Sequence, residues 1–183
     1  MEKEIRLLFV SRLIEGKGLQ DIFPQMGAVK DYCDNIGENL VFDIVGDGPY
    51  KTEFEKMTQD LGINSFVVFH GQKRKNELVE YYSNADIYVF PSRSEGMPNS
   101  VLEAMSYGLP VLMTPCEGSA ELIRDNGYVS DAARFGEYLI RMIERADATK
   151  SQGMRSLEMA KNEFSWRNTA CSYLSLFEDI LKE

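Results

Sequence analysis

The sequence predicts an α/β domain built on a doubly wound parallel sheet. Two observations carry this expectation. Short apolar runs rich in β-branched and aromatic residues recur along the chain, each followed by a turn and an amphipathic segment, which is the rhythm of βαβ units. The runs are continuously apolar rather than alternating, as strands covered on both faces must be. In an open sheet of this kind, ligands bind beyond the carboxyl ends of the strands, where strand order reverses.

The elements follow in order. Strands are expected over 5–10, 40–45, 66–70, 86–90, 110–114 and 128–129, about six in all. Helical patterns cover 18–36, 50–62, 74–84, 99–108, 119–124 and 131–146. The tail has a different texture: 148–164 and 166–182 read as two extra C-terminal helices, with Ser165 as N-cap of the second. No repeat, low-complexity stretch or flexible linker divides the chain, so its 183 residues are expected to form a single domain.

Composition narrows the class. The chain is 44% hydrophobic, too apolar for a disordered protein. Its apolar runs are far shorter than the ~20 residues of a membrane helix. The start MEKEIRLLFV does not resemble a signal peptide. With 20 Lys+Arg against 29 Asp+Glu, the net charge of −9 argues against nucleic-acid binding. A small anion remains possible, because a few local cations and backbone N–H groups decide that. Cys33, Cys116 and Cys171 form no C-x-x-C pair and read as reduced thiols of a cytosolic protein. His70 is the only histidine, which excludes a two-histidine metal site.

The loops after the strands hold the chemistry. After the first strand, Arg12 and Lys17 lie five residues apart in a loop closed by Gly16 and Gly18. A guanidinium fork and a compact ammonium can converge there on one anion. Taken alone, the same loop also reads as two solvated cations beside a turn. The second strand ends in Gly46-Asp47-Gly48-Pro49, with Pro49 near a first helical position. It is neither a dinucleotide fingerprint nor a P-loop.

The segment after the fourth strand, PSRSEGMPNSVLEAM, is denser. Pro98 starts a helix with Asn99 and Ser100 beside it, and Gly96 and Met97 precede it. Such a helix mouth offers unpaired N–H groups to a phosphate. Glu95 lies in the loop and Glu103 one turn into the helix, and a carboxylate can grip a vicinal diol. A ligand with hydroxyls on both sides of a diphosphate fits this arrangement: a nucleoside diphosphate sugar. His70 reads more readily as a locally bonded strand-end residue than as a ligand-binding one.

In order, VSRLIEGKG, FDIVGDGP, VVFHGQ, PSRSEGMPNSVLEAMSYGLPV with its E-x7-E spacing, and EFSW resemble the group 1 family of retaining GT-B glycosyltransferases over nearly the whole chain. That resemblance implies a Rossmann-like, donor-binding C-terminal domain, one half of a GT-B fold, over residues 1–183. The family's N-terminal acceptor domain is absent from this chain. The resemblance assigns Arg12 and Lys17 to the donor diphosphate and Glu103 to the ribose. It assigns Glu95 to the transferred hexose, and the backbone of Gly96, Met97, Pro98, Asn99 and Ser100 to phosphate or sugar. Gly71 and Gln72 would meet the base, and Gly46 would line the site. No cofactor and no metal are expected, in keeping with the lack of a D-x-D motif. The implied partners are a UDP-linked sugar donor and, through the missing domain, a glycan or lipid-linked acceptor of polysaccharide biosynthesis. The isolated chain is expected to be inactive and cytoplasmic, with attachment of the full enzyme to the inner membrane face left open. The rival readings are a GT-B nucleotide-sugar epimerase and a non-catalytic flavodoxin-like binding module.

Overall fold

The computed structural model describes residues 4–182. Its centre is one six-stranded parallel sheet in the order β3-β2-β1-β4-β5-β6. The strands are β1 (Glu4–Val10), β2 (Asn39–Val45), β3 (Val67–Gly71), β4 (Ile87–Phe90), β5 (Val111–Met113) and β6 (Gly127–Val129). The crossover helices are α1 (Leu19–Asn35), α2 (Lys51–Asp60), α3 (Lys75–Asn84), α4 (Asn99–Ser106) and α5 (Ser119–Leu122). Three more close the chain: α6 (Phe135–Glu144), α7 (Ala146–Asn162) and α8 (Trp166–Ile180). Helices α2 and α6 pack on α1, while α7 packs on α4.

The four central strands, β2, β1, β4 and β5, form because their runs are buried from both sides. Leu7, Phe9, Phe42, Ile44, Val89 and Leu112 are fully covered. Strand order reverses between β1 and β4, where Leu7 faces Ile87 and Leu8 faces Tyr88. The Tyr88 hydroxyl donates to the Val10 carbonyl at 3.1 Å, tying the end of β1 to β4. A reversal of this kind is where α/β sheets bind ligands, beyond the carboxyl ends of the strands.

Several boundaries differ from the sequence reading. Phe66 is buried but lies in the turn before β3, where its carbonyl accepts from Phe42 N–H at 2.8 Å. Pro49 lies near the start of α2, two residues before it. Residues 48–51 form a turn, and Tyr50 N–H donates to the Leu13 carbonyl at 3.1 Å before α2 begins. Helix α5 stops at Leu122 because the Asn126 side chain takes over local bonding. Its Oδ1 accepts from Arg124 N–H at 2.7 Å, and its Nδ2 donates to the Leu122 carbonyl at 3.0 Å. The pattern over 131–146 divides into a 3-10 turn at Ala132–Arg134 and α6. Helix α7 starts at Ala146 rather than 148.

Ser165 does cap α8, its side chain accepting from Asn168 N–H at 3.2 Å. That helix buries none of its residues. Among the described residues no helix is long and apolar enough to cross a membrane.

Candidate functional site

The loops after β1 and β4 are locked together before any ligand is considered. Gly18 takes a left-handed conformation, φ 73°, and a Cβ there would lie 1.9 Å from the Pro91 carbonyl oxygen. Only glycine meets both demands. The Arg93 N–H donates to the Gly16 carbonyl at 3.0 Å. Its guanidinium forks onto both oxygens of Asp21, at 2.8 and 2.7 Å, which joins the loop to the first turn of α1. The two strand-end loops thus behave as one unit.

This lock brings Lys17 onto Glu95. The ammonium contacts Glu95 Oε1, and the two side chains are only 17% and 21% exposed. Lys17 Nζ also lies over the Phe90 ring, 5.5 Å from its centre. Glu95 is supported by Ser92, a buried residue whose hydroxyl lies 3.2 Å from Glu95 Oε1 and 3.3 Å from the Gly16 carbonyl. From the other side, Gly118 N–H donates to the Glu95 carbonyl at 3.2 Å. The sequence reading gave Lys17 to the diphosphate and Glu95 to the sugar hydroxyls; in the structure the two side chains also pair with each other.

Arg12 takes a different direction from the same loop. It lines a cavity of about 550 Å³ together with Gly46, Asp47, Gly48, Gln72 and Lys73. Among the described residues Arg12 has no ion-pair partner. Gly46 is part of this wall, but its N–H donates to the Gly71 carbonyl at 2.9 Å. Gly46 therefore offers the cavity a surface rather than a hydrogen-bond donor. Gly71 ends β3 in a left-handed conformation, φ 68°, which turns Gln72 toward the same cavity.

Pro98 caps α4 in an extended conformation, and Asn99 and Ser100 begin its first turn. The N–H groups of Gly96, Met97, Asn99 and Ser100 have no backbone partner among the described residues. A helix start leaves such donors open to an anion. Glu103 lies further along α4, beside a neighbouring cavity of about 640 Å³ that shares Leu78 with the first. Its Oε2 accepts from the Tyr82 hydroxyl at 3.0 Å. Burial, then the adjacent Tyr88 and Glu103, push the Tyr82 phenol well above its usual range, so it remains a donor.

Tyr82 and Ser92 were not anticipated from the sequence. Tyr82 follows Leu78 at helical spacing, and that was the one available signal. His70 faces away from this chemistry: its Nε2 lies 2.6 Å from Asp43, which Arg6 also binds at 2.8 Å. Cys116 lies near Glu95, and burial foremost raises its thiol pKa, with Glu95 adding to the rise, so it makes a poor nucleophile. Among the described residues no cluster of three or more His, Cys, Asp or Glu side chains is placed to hold a metal ion.

The six-stranded parallel sheet and its flanking helices match one half of solved GT-B glycosyltransferases. HepE of Anabaena, solved in complex with UDP and glucose, superposes with a TM-score of 0.82 at 19% identity, covering 94% of this chain and 48% of that one. Residues 1–155 match the family of group 1 glycosyl transferases, and the chain belongs to that family. The amylovoran biosynthesis glycosyltransferase AmsD of Erwinia amylovora is 30% identical over 92% of this chain and 44% of its own length. The GDP-mannose-dependent alpha-(1-6)-phosphatidylinositol monomannoside mannosyltransferase of Mycobacterium tuberculosis is 27% identical over 88% of this chain and 44% of its own. The chain spans less than half the length of these relatives.

Proposed function

We propose that this chain is the donor-binding domain of a retaining glycosyltransferase. The whole protein would move a hexose from a nucleoside diphosphate, UDP first among the candidates, to a glycan or lipid-linked acceptor in polysaccharide biosynthesis. A second domain, outside this chain, would hold the acceptor. The observation that carries the reading is the Lys17–Glu95 pair at the β1–β4 reversal, beside the open N-terminus of α4. Relatives add support in both directions on the base, since HepE was solved with UDP and the mycobacterial enzyme is GDP-mannose-dependent.

The chain's own residues would act as follows. Arg12, Lys17 and the α4 N–H groups face the diphosphate and stabilise the negative charge that grows on it as the anomeric C–O bond breaks. No metal is needed in this scheme, because fixed cations and a helix mouth carry that charge. Glu103, held by Tyr82, accepts hydrogen bonds from the ribose. Glu95 accepts them from the hexose, and the surface around Gly71 and Gln72 receives the base.

Calorimetric titration of the chain with UDP, GDP and ADP tests the reading. Binding of at least one is expected, and binding of none would refute it. Arg12→Ala and Lys17→Ala should each weaken donor binding by ~1.5–3 kcal/mol, the scale of charge-assisted hydrogen bonds. On this reading, the chain alone is expected to show no transfer. Sustained turnover by the isolated chain would contradict that division of labour.

A further inference from the structure

Resting on the donor-binding reading, we infer that Glu95 is the resident counter-ion of Lys17. Lys17 gives it up for the donor's diphosphate only when hydroxyls of the attached sugar take Lys17's place on the carboxylate. The site thereby prefers a nucleoside diphosphate sugar to the bare nucleoside diphosphate left after transfer.

Parting the pair costs both groups. Lys17 and Glu95 are mostly covered and in direct contact, so water screens the pair less than it screens a surface one. A diphosphate competes with Glu95 for the Lys17 ammonium and draws it off the carboxylate. Among the described residues the carboxylate then keeps one hydrogen bond, from the Ser92 hydroxyl at 3.2 Å. That hydroxyl has a single proton, and the Gly16 carbonyl competes for it at 3.3 Å. Nor does the loop offer relief. Gly118 N–H holds the Glu95 carbonyl at 3.2 Å, and a Cβ on Gly118 would already sit 1.7 Å from the Gly96 oxygen. Glu95 is therefore left partly buried and under-bonded beside an added negative charge, which is unfavourable.

A hexose reverses this balance. Two neighbouring hydroxyls supply two donors to the carboxylate, and they arrive attached to the same diphosphate that draws Lys17 away. Once the sugar has gone, Glu95 has no replacement donors and recovers Lys17. The bare diphosphate then loses its ammonium contact and departs.

The test is calorimetry with UDP and UDP-glucose, or with GDP and GDP-mannose where guanine binds more tightly, on the unsubstituted chain and on Glu95→Gln. The amide removes the competing charge at nearly constant shape. UDP is expected to bind roughly threefold to tenfold more tightly to Glu95→Gln, the scale of a partly screened ion pair. UDP-glucose binding is expected to stay equal or weaken, so the preference for the sugar-bearing ligand shrinks. Glu95→Ala, checked by thermal melting, should also tighten UDP, which guards against an effect peculiar to the amide. In a Lys17→Met background the gain from Glu95→Gln should be smaller, because only repulsion remains to be removed. UDP binding that is unchanged or weaker in both Glu95 variants overturns the exchange while leaving the donor-binding reading intact. Absence of any nucleotide binding by the unsubstituted chain overturns both.

Discussion

Substituting alanine at Gly118 tests whether the turn between β5 and α5 sets the position of Glu95. A Cβ on Gly118 would stand 1.7 Å from the Gly96 carbonyl oxygen and 2.9 Å from its carbon, whereas ordinary contact begins at 3.4 Å. The two loops must therefore part by more than an ångström. The 3.2 Å bond from Gly118 N–H to the Glu95 carbonyl cannot survive that movement. Overpacking of this kind costs about 1–3 kcal/mol. Binding pays more dearly than folding, since displacing Glu95 also disturbs Lys17 and the start of α4. One lost charge-assisted contact is worth ~1.5–3 kcal/mol, or roughly tenfold to a hundredfold in affinity. Urea denaturation and titration with UDP-glucose measure the two effects separately. Gly96→Ala is the control, because nothing lies within 4 Å of a Cβ at that position, and it should shift stability by less than about 0.5 kcal/mol. An alanine at Gly118 that leaves both the urea midpoint and the affinity unchanged would refute the packing argument.

Three further outcomes are expected. Tyr82→Phe removes the donor that holds Glu103 at 3.0 Å, which should cost about 0.5–1.5 kcal/mol of stability. It should also shrink the preference for UDP over its 2′,3′-dideoxy analogue in calorimetry; an undiminished preference counts against Glu103 as the ribose contact. Burial foremost, then Glu38 and Asp34, push the Cys33 thiol from 9.0 to about 11. The folded state thus favours the thiol, a contribution complete below pH 9 and lost as pH climbs through about 11. Cys33 should resist thiol reagents at pH 9 while exposed Cys171 reacts, and equal labelling of the two would show the core to be open. Trp166, the only tryptophan, is 89% exposed on α8. It should emit as a solvated indole and be readily quenched by acrylamide, whereas blue, protected emission would mean that this face of α8 is covered.

The central strands were legible because a parallel sheet must be apolar on both faces there, a demand that their continuous apolar runs display. Phe66 misled for the same reason: it is buried in a turn, and hydrophobicity cannot distinguish that from a strand. Pro49 does lie near the start of α2, but the rule for first helical positions says nothing of the Tyr50–Leu13 bond that stitches residues 48–51 onto the β1 loop. At the site, residue types and strand-end positions were readable. The pairing of Lys17 with Glu95 was not, since the two are 78 positions apart. Their contact depends on how two loops are rotated against each other. That rotation is fixed by Gly18 against Pro91 and by Arg93 on Asp21, tertiary contacts with no local signature. Ser92 gave no signal because a buried serine beside exposed Arg93 looks like any loop residue.

The same geometry explains how a chain of net charge −9 can present a site for an anion. Beyond about 8 Å at physiological ionic strength, exposed charges are largely screened, so the acidic surface elsewhere acts weakly on the crevice. What matters is which charges meet inside it. Both cations come from the loop after β1, and both carboxylates come from the segment after β4. Neither loop neutralises a diphosphate and holds its sugars unaided. The function proposed here therefore depends on β1 and β4 being neighbours, and so on the short register Leu7–Ile87 and Leu8–Tyr88 and the Tyr88–Val10 bond at 3.1 Å. A change that loosened this seam would leave every motif in the sequence intact. It would still disconnect the cations from the carboxylates they work with.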